Sequence, residues 1–109
     1  MKVGVLYLLK ADLSNGTSVY KYGATRNQIR ARIYWANREY YKATQERVKF
    51  KECFTEVSKD VFASECEFKR YTVDNSLNMN SIFSEFFLLD GIISELDIKK
   101  EMISLCKDG

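Results

Sequence analysis

Histidine is missing from this chain altogether, and so is proline. Without an imidazole there is no histidine general base, metal ligand or pH switch, so any catalysis must run on tyrosine, lysine, arginine and carboxylates. Cysteine is scarce. Cys53, Cys66 and Cys106 are odd in number and widely spaced, which excludes a complete disulfide framework and a C-x-x-C metal clip and fits a reducing cytoplasm. Long apolar runs are missing too: none approaches the roughly 20 residues needed to cross a bilayer. The apolar start of the chain is broken by Lys10 and Asp12, with no small-residue cleavage site after it. The expectation is a soluble, cytoplasmic protein with no membrane partner.

What is present is a folding composition. The 109 residues are 46% hydrophobic and 14% aromatic, enough for one compact domain over residues 1–109 with a modest core. The net charge of +2 hides an asymmetry: up to Glu52 there are eleven basic residues against four acids, leaving that half at +7 and the remainder at −5. A basic, tyrosine-rich half is the electrostatic footprint of a polyanion site, because phosphate neutralisation supplies most of the affinity for nucleic acid. Uneven charge with no such partner is the plainer reading.

Two apolar, β-rich runs, Val3 to Leu9 and Val19 to Thr25, flank a segment containing Asn15-Gly16, a strong turn signal, and predict an antiparallel hairpin with a slightly long loop. Asn27 is the expected N-cap of a helix from Gln28 to about Thr44, with Ile29, Ile33, Ala36 and Tyr40 on its inner stripe. Arg47 to Ser58 reads as a strand carrying Val48, Phe50 and Phe54 on one side and Cys53, Thr55 and Val57 on the other. A second helix is expected from Asp60 to about Val73, with Val61, Phe62, Cys66, the Lys69 stem and Val73 inward. Asp74 to Ser81 reads as a surface loop and Glu85 to Leu89 as a short extended segment. A last helix, Asp90 to about Lys107, would close the core through Ile92, Ile93, Leu96, Lys100, Ile103 and Cys106.

Three segments in order carry a resemblance. Gly4-Val5-Leu6-Tyr7 is followed by Lys21-Tyr22-Gly23-Ala24-Thr25 and a helix bearing Arg32-Ile33, then by Ala63-Ser64-Glu65-Cys66-Glu67 and Ser84-Glu85-Phe86-Phe87-Leu88. This order resembles the GIY-YIG nuclease superfamily, in particular a phage and bacterial branch whose second motif reads Lys-Ile-Gly. The resemblance implies a small α/β domain with a central three-stranded antiparallel sheet flanked by helices. It also implies a metal-dependent endonuclease hydrolysing DNA phosphodiester bonds. On that pattern Tyr7 would orient or deprotonate water, Arg32 would clamp phosphate, and Glu67 would hold Mg2+ or Mn2+. Lys21 stands where the literal motif has a tyrosine; it supplies a cation but not a phenol's hydrogen bonding. Glu65 and Glu67 both qualify for the metal position, and spacing from Ala63 favours Glu67.

Strand alternation sends Lys21 and Gly23 to one face and Tyr20 and Tyr22 to the other. Tyr22, Arg26, Arg30, Arg38 and Lys42 are the candidate nucleic-acid contacts. Tyr34, Trp35, Tyr40 and Tyr41 interleave with Arg38 and Lys42 in a pattern that can stack bases, although helical spacing favours Tyr40 and Trp35 as core or rim residues. Each residue also has an ordinary role: strand tyrosines pack sheets, helix arginines are solvated, and surface glutamates pair with neighbouring cations. Two rivals to the enzyme follow. One is a noncatalytic nucleic-acid binder; the other is a phage-type accessory protein that inhibits or recruits a host protein.

Overall fold

The computed structural model describes residues 2–77, 85–89 and 91–108. β1 (Gly4–Asp12) and β2 (Ser18–Thr25) form the expected hairpin, closed by a turn in which Gly16 takes φ +89° and donates to the Leu13 carbonyl at 3.1 Å. Asn15 Oδ1 accepts from the Thr17 N–H at 3.0 Å, so the turn is held by the side chain that signals it. α1 (Ile29–Thr44) follows, then β3 (Lys51–Ser58), α2 (Val61–Asp74), β4 (Phe86–Phe87) and α3 (Glu95–Asp108). Among the described residues no helix is long and apolar enough to cross a membrane.

The sheet has four strands, in the order β3-β1-β2-β4, all pairs antiparallel. This corrects the three-stranded expectation. The fourth strand is only two residues long, but alternation gives it structural weight: Phe86 packs into the core on the α1 side and Phe87 into the core on the α2–α3 side. A pair of phenylalanines thus stitches both layers to the free edge of β2, pairing Lys21 with Phe86 and Tyr20 with Phe87. A two-residue strand lies below what periodicity can detect in a sequence.

The sheet separates two cores. Tyr7, Leu9, Ala11 and Val19 face Ala36 and Tyr40 of α1, with Ile29 and Ile33 at the margin as expected. Leu6, Leu8, Tyr20 and Tyr22 face Val61, Phe68, Ile98, Met102 and Cys106 of α2 and α3.

Several expectations about facing and ends are corrected. In β3 the register slips between Leu8 and Leu9, so that Leu8 pairs with Phe54 and Leu9 with Glu52. Cys53 is the extra residue of this bulge, which lets Cys53 and Phe54 both pack on the α2–α3 core while Phe50 serves the other. In α2 the inner residues are Val61, Ser64, Phe68 and Thr72, with Phe62, Cys66 and Val73 exposed. The polar pair is admitted because each hydroxyl finds a partner: Ser64 Oγ and Ser58 Oγ lie 2.7 Å apart, and Thr72 Oγ1 donates to the Lys69 carbonyl at 2.8 Å.

α3 begins at Glu95 because Ser94 and Asp97 form a reciprocal cap: the Ser94 N–H donates to Asp97 Oδ2 at 2.9 Å and the Asp97 N–H to Ser94 Oγ at 3.1 Å. Its inner stripe is Ile98, Met102 and Cys106, leaving Ile92 and Leu96 exposed. α1 starts after Gln28, not Asn27, whose N–H donates instead to Thr25 Oγ1 at 3.0 Å. The expected loop over Asp74–Ser81 is helical at Asp74 and a turn at Asn75 and Ser76. The remainder from Asn78, like Ser84 and Asp90, lies outside the described residues.

α3 is tied to the sheet through Glu95, which accepts from Tyr20 Oη at 2.8 Å and pairs with Lys10 at 2.8 Å and Lys99 at 3.2 Å. Lys10 first, and Tyr20 after it, hold the Glu95 carboxyl down to about 2, below the ordinary 4.5. A depressed carboxyl contributes stability above its unfolded value and loses it as pH falls through the folded one. Glu95→Gln should therefore lower stability at pH 7 by about 1 kcal/mol, a figure that allows for solvent screening of a surface network. It should also flatten the loss between pH 4.5 and 2, measured by urea denaturation across that range.

Candidate active site

Past the β4 pairing, the edge of β2 finds one backbone and one side-chain acceptor among the described residues. The Tyr22 N–H donates to the Glu85 carbonyl at 3.1 Å, and the Ala24 N–H donates to Glu65 Oε2 at 3.1 Å. A carboxylate thus occupies the place where a further strand would put a carbonyl. α1 roofs the same edge, and between them lies a cavity of about 270 Å3 lined by Tyr7, Lys21, Ala24, Arg32, Trp35, Glu39, Glu65 and Glu85.

Tyr7 enters from β1, directly opposite Gly23 in the register. Its ring lies across the glycine so closely that a Cβ at position 23 would sit 2.6 Å from Tyr7 Cζ and overlap the hydroxyl oxygen. Only glycine leaves room for the phenol there. Burial pushes the Tyr7 hydroxyl up to about 12; Arg32 opposes the rise, and Glu85, Glu65 and Glu39 add to it. On the order of one phenol in 10^5 is then ionised at pH 7, so Tyr7 serves as a hydrogen-bonding hydroxyl and not as a resident base.

Lys21 is 5% exposed. Its ammonium reaches Glu85 Oε2 at 3.1 Å and lies 5.2 Å from the centre of the Phe86 ring. The charge is fixed at the cavity wall by one carboxylate and one aromatic face. Arg32 projects from the exposed side of α1 into the same space. Glu65, half-buried, has its carboxyl raised by burial first and by Glu85 second, against the Ala24 N–H, Lys21 and Arg32, which lower it.

Sequence reasoning thus names three residues that the fold brings together, Tyr7, Lys21 and Arg32, and one that it does not. Glu67 is exposed and pairs with Arg70 at 3.5 Å on the outer side of α2. With about 100° per residue, a helix whose inner stripe is Val61, Ser64, Phe68 and Thr72 carries Glu65 beside the stripe and Glu67 away from it. Glu65 therefore replaces Glu67 in the cavity. Glu39 joins it without any sequence signal, and Glu85, which stands in one of the segments of the resemblance but has no role assigned by it, arrives through the β2–β4 register.

Of the expected nucleic-acid contacts, Tyr22 is 1% exposed and packs edge-on against Phe68 in the core. Arg26, Arg30 and Lys42 are exposed and do not line the cavity, and Arg38 stacks on Tyr34 and Trp35 at the outer end of α1.

Among the described residues no three Cys, Asp or Glu side chains gather into a ready metal cage. Magnesium does not require one, taking one or two carboxylates with waters and substrate phosphate. Glu65 and Glu85 share the cavity, and Glu85 adds to the burial that raises the cost of charging Glu65, a repulsion that a divalent cation relieves. The donor set fits such an ion.

Gly23→Ala should cost about 1–3 kcal/mol of stability through overpacking against Tyr7. The same change should cost less in a Tyr7→Leu background, giving a coupling of about 1 kcal/mol or more in a double-mutant cycle of denaturant unfolding. Set against protein-family models, curated proteins and solved structures, the chain matches none, and its functional reading rests on this geometry and on the motif order in the sequence.

Proposed function

We propose that the protein is a metal-dependent endonuclease that hydrolyses DNA phosphodiester bonds in this cavity. The observation that carries the reading is the convergence of Tyr7, Lys21, Arg32 and Glu65, from two strands and two helices, on one space of about 270 Å3. Phosphodiester hydrolysis needs cations for the nonbridging oxygens, a group that orients water, and a counter-charge for the leaving oxygen. The motif order of the GIY-YIG superfamily points to the same chemistry.

Arg32 and Lys21 bind the phosphate. Arg32 is the more available of the two, since Lys21 must share its charge with Glu85. The neutral Tyr7 hydroxyl accepts a hydrogen bond from the attacking water and sets its direction, which suits a phenol whose proton is held to about 12. Glu85 and Glu39 line the cavity as acceptors for the proton that water gives up. Glu65, with Glu85 beside it, would hold magnesium or manganese, which supplies positive charge to the leaving oxygen.

The commitment of Lys21 to Glu85 favours one other reading, a noncatalytic DNA binder that keeps the phosphate-binding groups without turnover. Nicking of supercoiled plasmid with magnesium, manganese or EDTA separates the two. The enzyme predicts metal-dependent nicking that Glu65→Ala abolishes, that Tyr7→Phe and Arg32→Ala each lower by about 10^2-fold or more, and that Glu67→Ala leaves intact. Folded protein that retains DNA and never nicks it would establish the binder. Nicking lost with Glu67→Ala and kept with Glu65→Ala would move the site out of this cavity.

A further inference from the structure

A second recess opens on the outer side of α1, where the helix meets the segment leading into β3. It measures about 280 Å3 and is lined by Tyr34, Asn37, Arg38, Tyr41, Arg47 and Val48. Two arginines and two tyrosines share it, and among the described residues no carboxylate does. The Arg47 guanidinium lies 4.5 Å from the centre of the Tyr41 ring. The Arg38 guanidinium sits 5.7 Å from that of Tyr34 and 5.6 Å from that of Trp35, and it donates to Tyr34 Oη at 3.0 Å.

These rings are not core. Tyr40, on the inner face, is 3% exposed, whereas Tyr34 and Trp35 are 54% and 53% exposed. Trp35 also lines the Tyr7 cavity. Trp35 of the Tyr7 cavity and Arg38 of the recess, 5.6 Å from its ring centre, link the two spaces across the outer face of α1.

We infer that this recess takes an unpaired base of single-stranded DNA while a phosphate further along the same strand occupies the Tyr7 cavity, making the substrate a single strand or a splayed segment. The inference rests on the cavity being a phosphodiester site and goes beyond it by naming the form of nucleic acid. Planar rings and guanidinium groups offer a base its stacking partners, and the absence of carboxylate from the wall admits the backbone charge that travels with it. The volume is at the small end for ligand pockets and suits one planar ring. Bases inside a duplex are already stacked and cannot enter; a duplex would meet only the arginine charges.

The test is equilibrium binding in EDTA at fixed salt, by anisotropy of three labelled probes: oligothymidylate, an abasic strand of equal length and charge, and a duplex. Trp35 is the chain's only tryptophan, so its emission reports occupancy where the two spaces meet. The expected result is that oligothymidylate binds about tenfold tighter than the abasic strand, binds tighter than the duplex, and quenches Trp35. Tyr34→Ala should remove that tenfold and leave abasic binding unchanged, while Tyr34→Phe keeps it. Equal affinity for base-bearing and abasic strands, a preference for duplex, or no binding of any probe would overturn the inference. Because no metal is present, plasmid nicking by a protein indifferent to bases sinks only this inference. Base-dependent binding without nicking under any metal sinks only the hydrolase reading.

Discussion

The Tyr7 ring laid across Gly23 is the contact on which the rest of the site depends. It needs β1 and β2 in a register that sets these two residues opposite each other, and it needs the absence of a side chain at position 23. It turns a core tyrosine into a cavity wall. Because the ring is buried and the hydroxyl opens onto polar space, the phenol is rigid and protonated, held at about 12 by burial. A group so fixed can direct a water or an oxyanion without rotating away, which is the sense in which a site is preorganised.

The cavity sits at the edge of β2. Among the described residues β4 pairs with Tyr20 and Lys21, and past it the β2 amides turn to the Glu85 carbonyl and the Glu65 carboxylate. That register brings Glu85 against Lys21 and leaves Glu65 bonded to the β2 edge while it lines the cavity. The raised Glu65 carboxyl is the electrostatic cost of that position, and a bound cation or the protonated form would offset it.

The hairpin, α1 and the two faces of β2 are legible in the sequence because their signals are local: Asn15-Gly16 for the turn, period-two alternation through Tyr20 to Gly23, and Ile33, Ala36 and Tyr40 at helical spacing. Tyr7, Lys21 and Arg32 are legible through the motif order that resembles the GIY-YIG superfamily, whose segments fall on those elements. α2 is misread because its inner face holds Ser64 and Thr72 while Phe62, Cys66 and Val73 point outward. The polar pair is acceptable inside only through hydrogen bonds that hydropathy does not see. Glu67 is favoured by motif spacing from Ala63, and the observed helix phase, which sets Glu65 beside the inner stripe, reverses that choice. The bulge at Cys53 is a tertiary outcome with no local signal; Glu85 to Leu89 reads as extended, but its pairing with β2, through which Glu85 enters the site, is tertiary. The Ser94–Asp97 cap had a readable pattern, one that apolar spacing from Ile92 obscured.

The account's central claim is that Glu65, not Glu67, holds the divalent cation beside Tyr7 and Arg32. Manganese titration followed by paramagnetic broadening of backbone amide signals tests it most directly. The account predicts that the Ala24 amide, hydrogen-bonded to Glu65, broadens first, with Tyr22, whose amide is bonded to Glu85, close behind. Broadening centred on Glu67 and Arg70 along the outer side of α2, or none while the protein is folded and manganese is in excess, would contradict it.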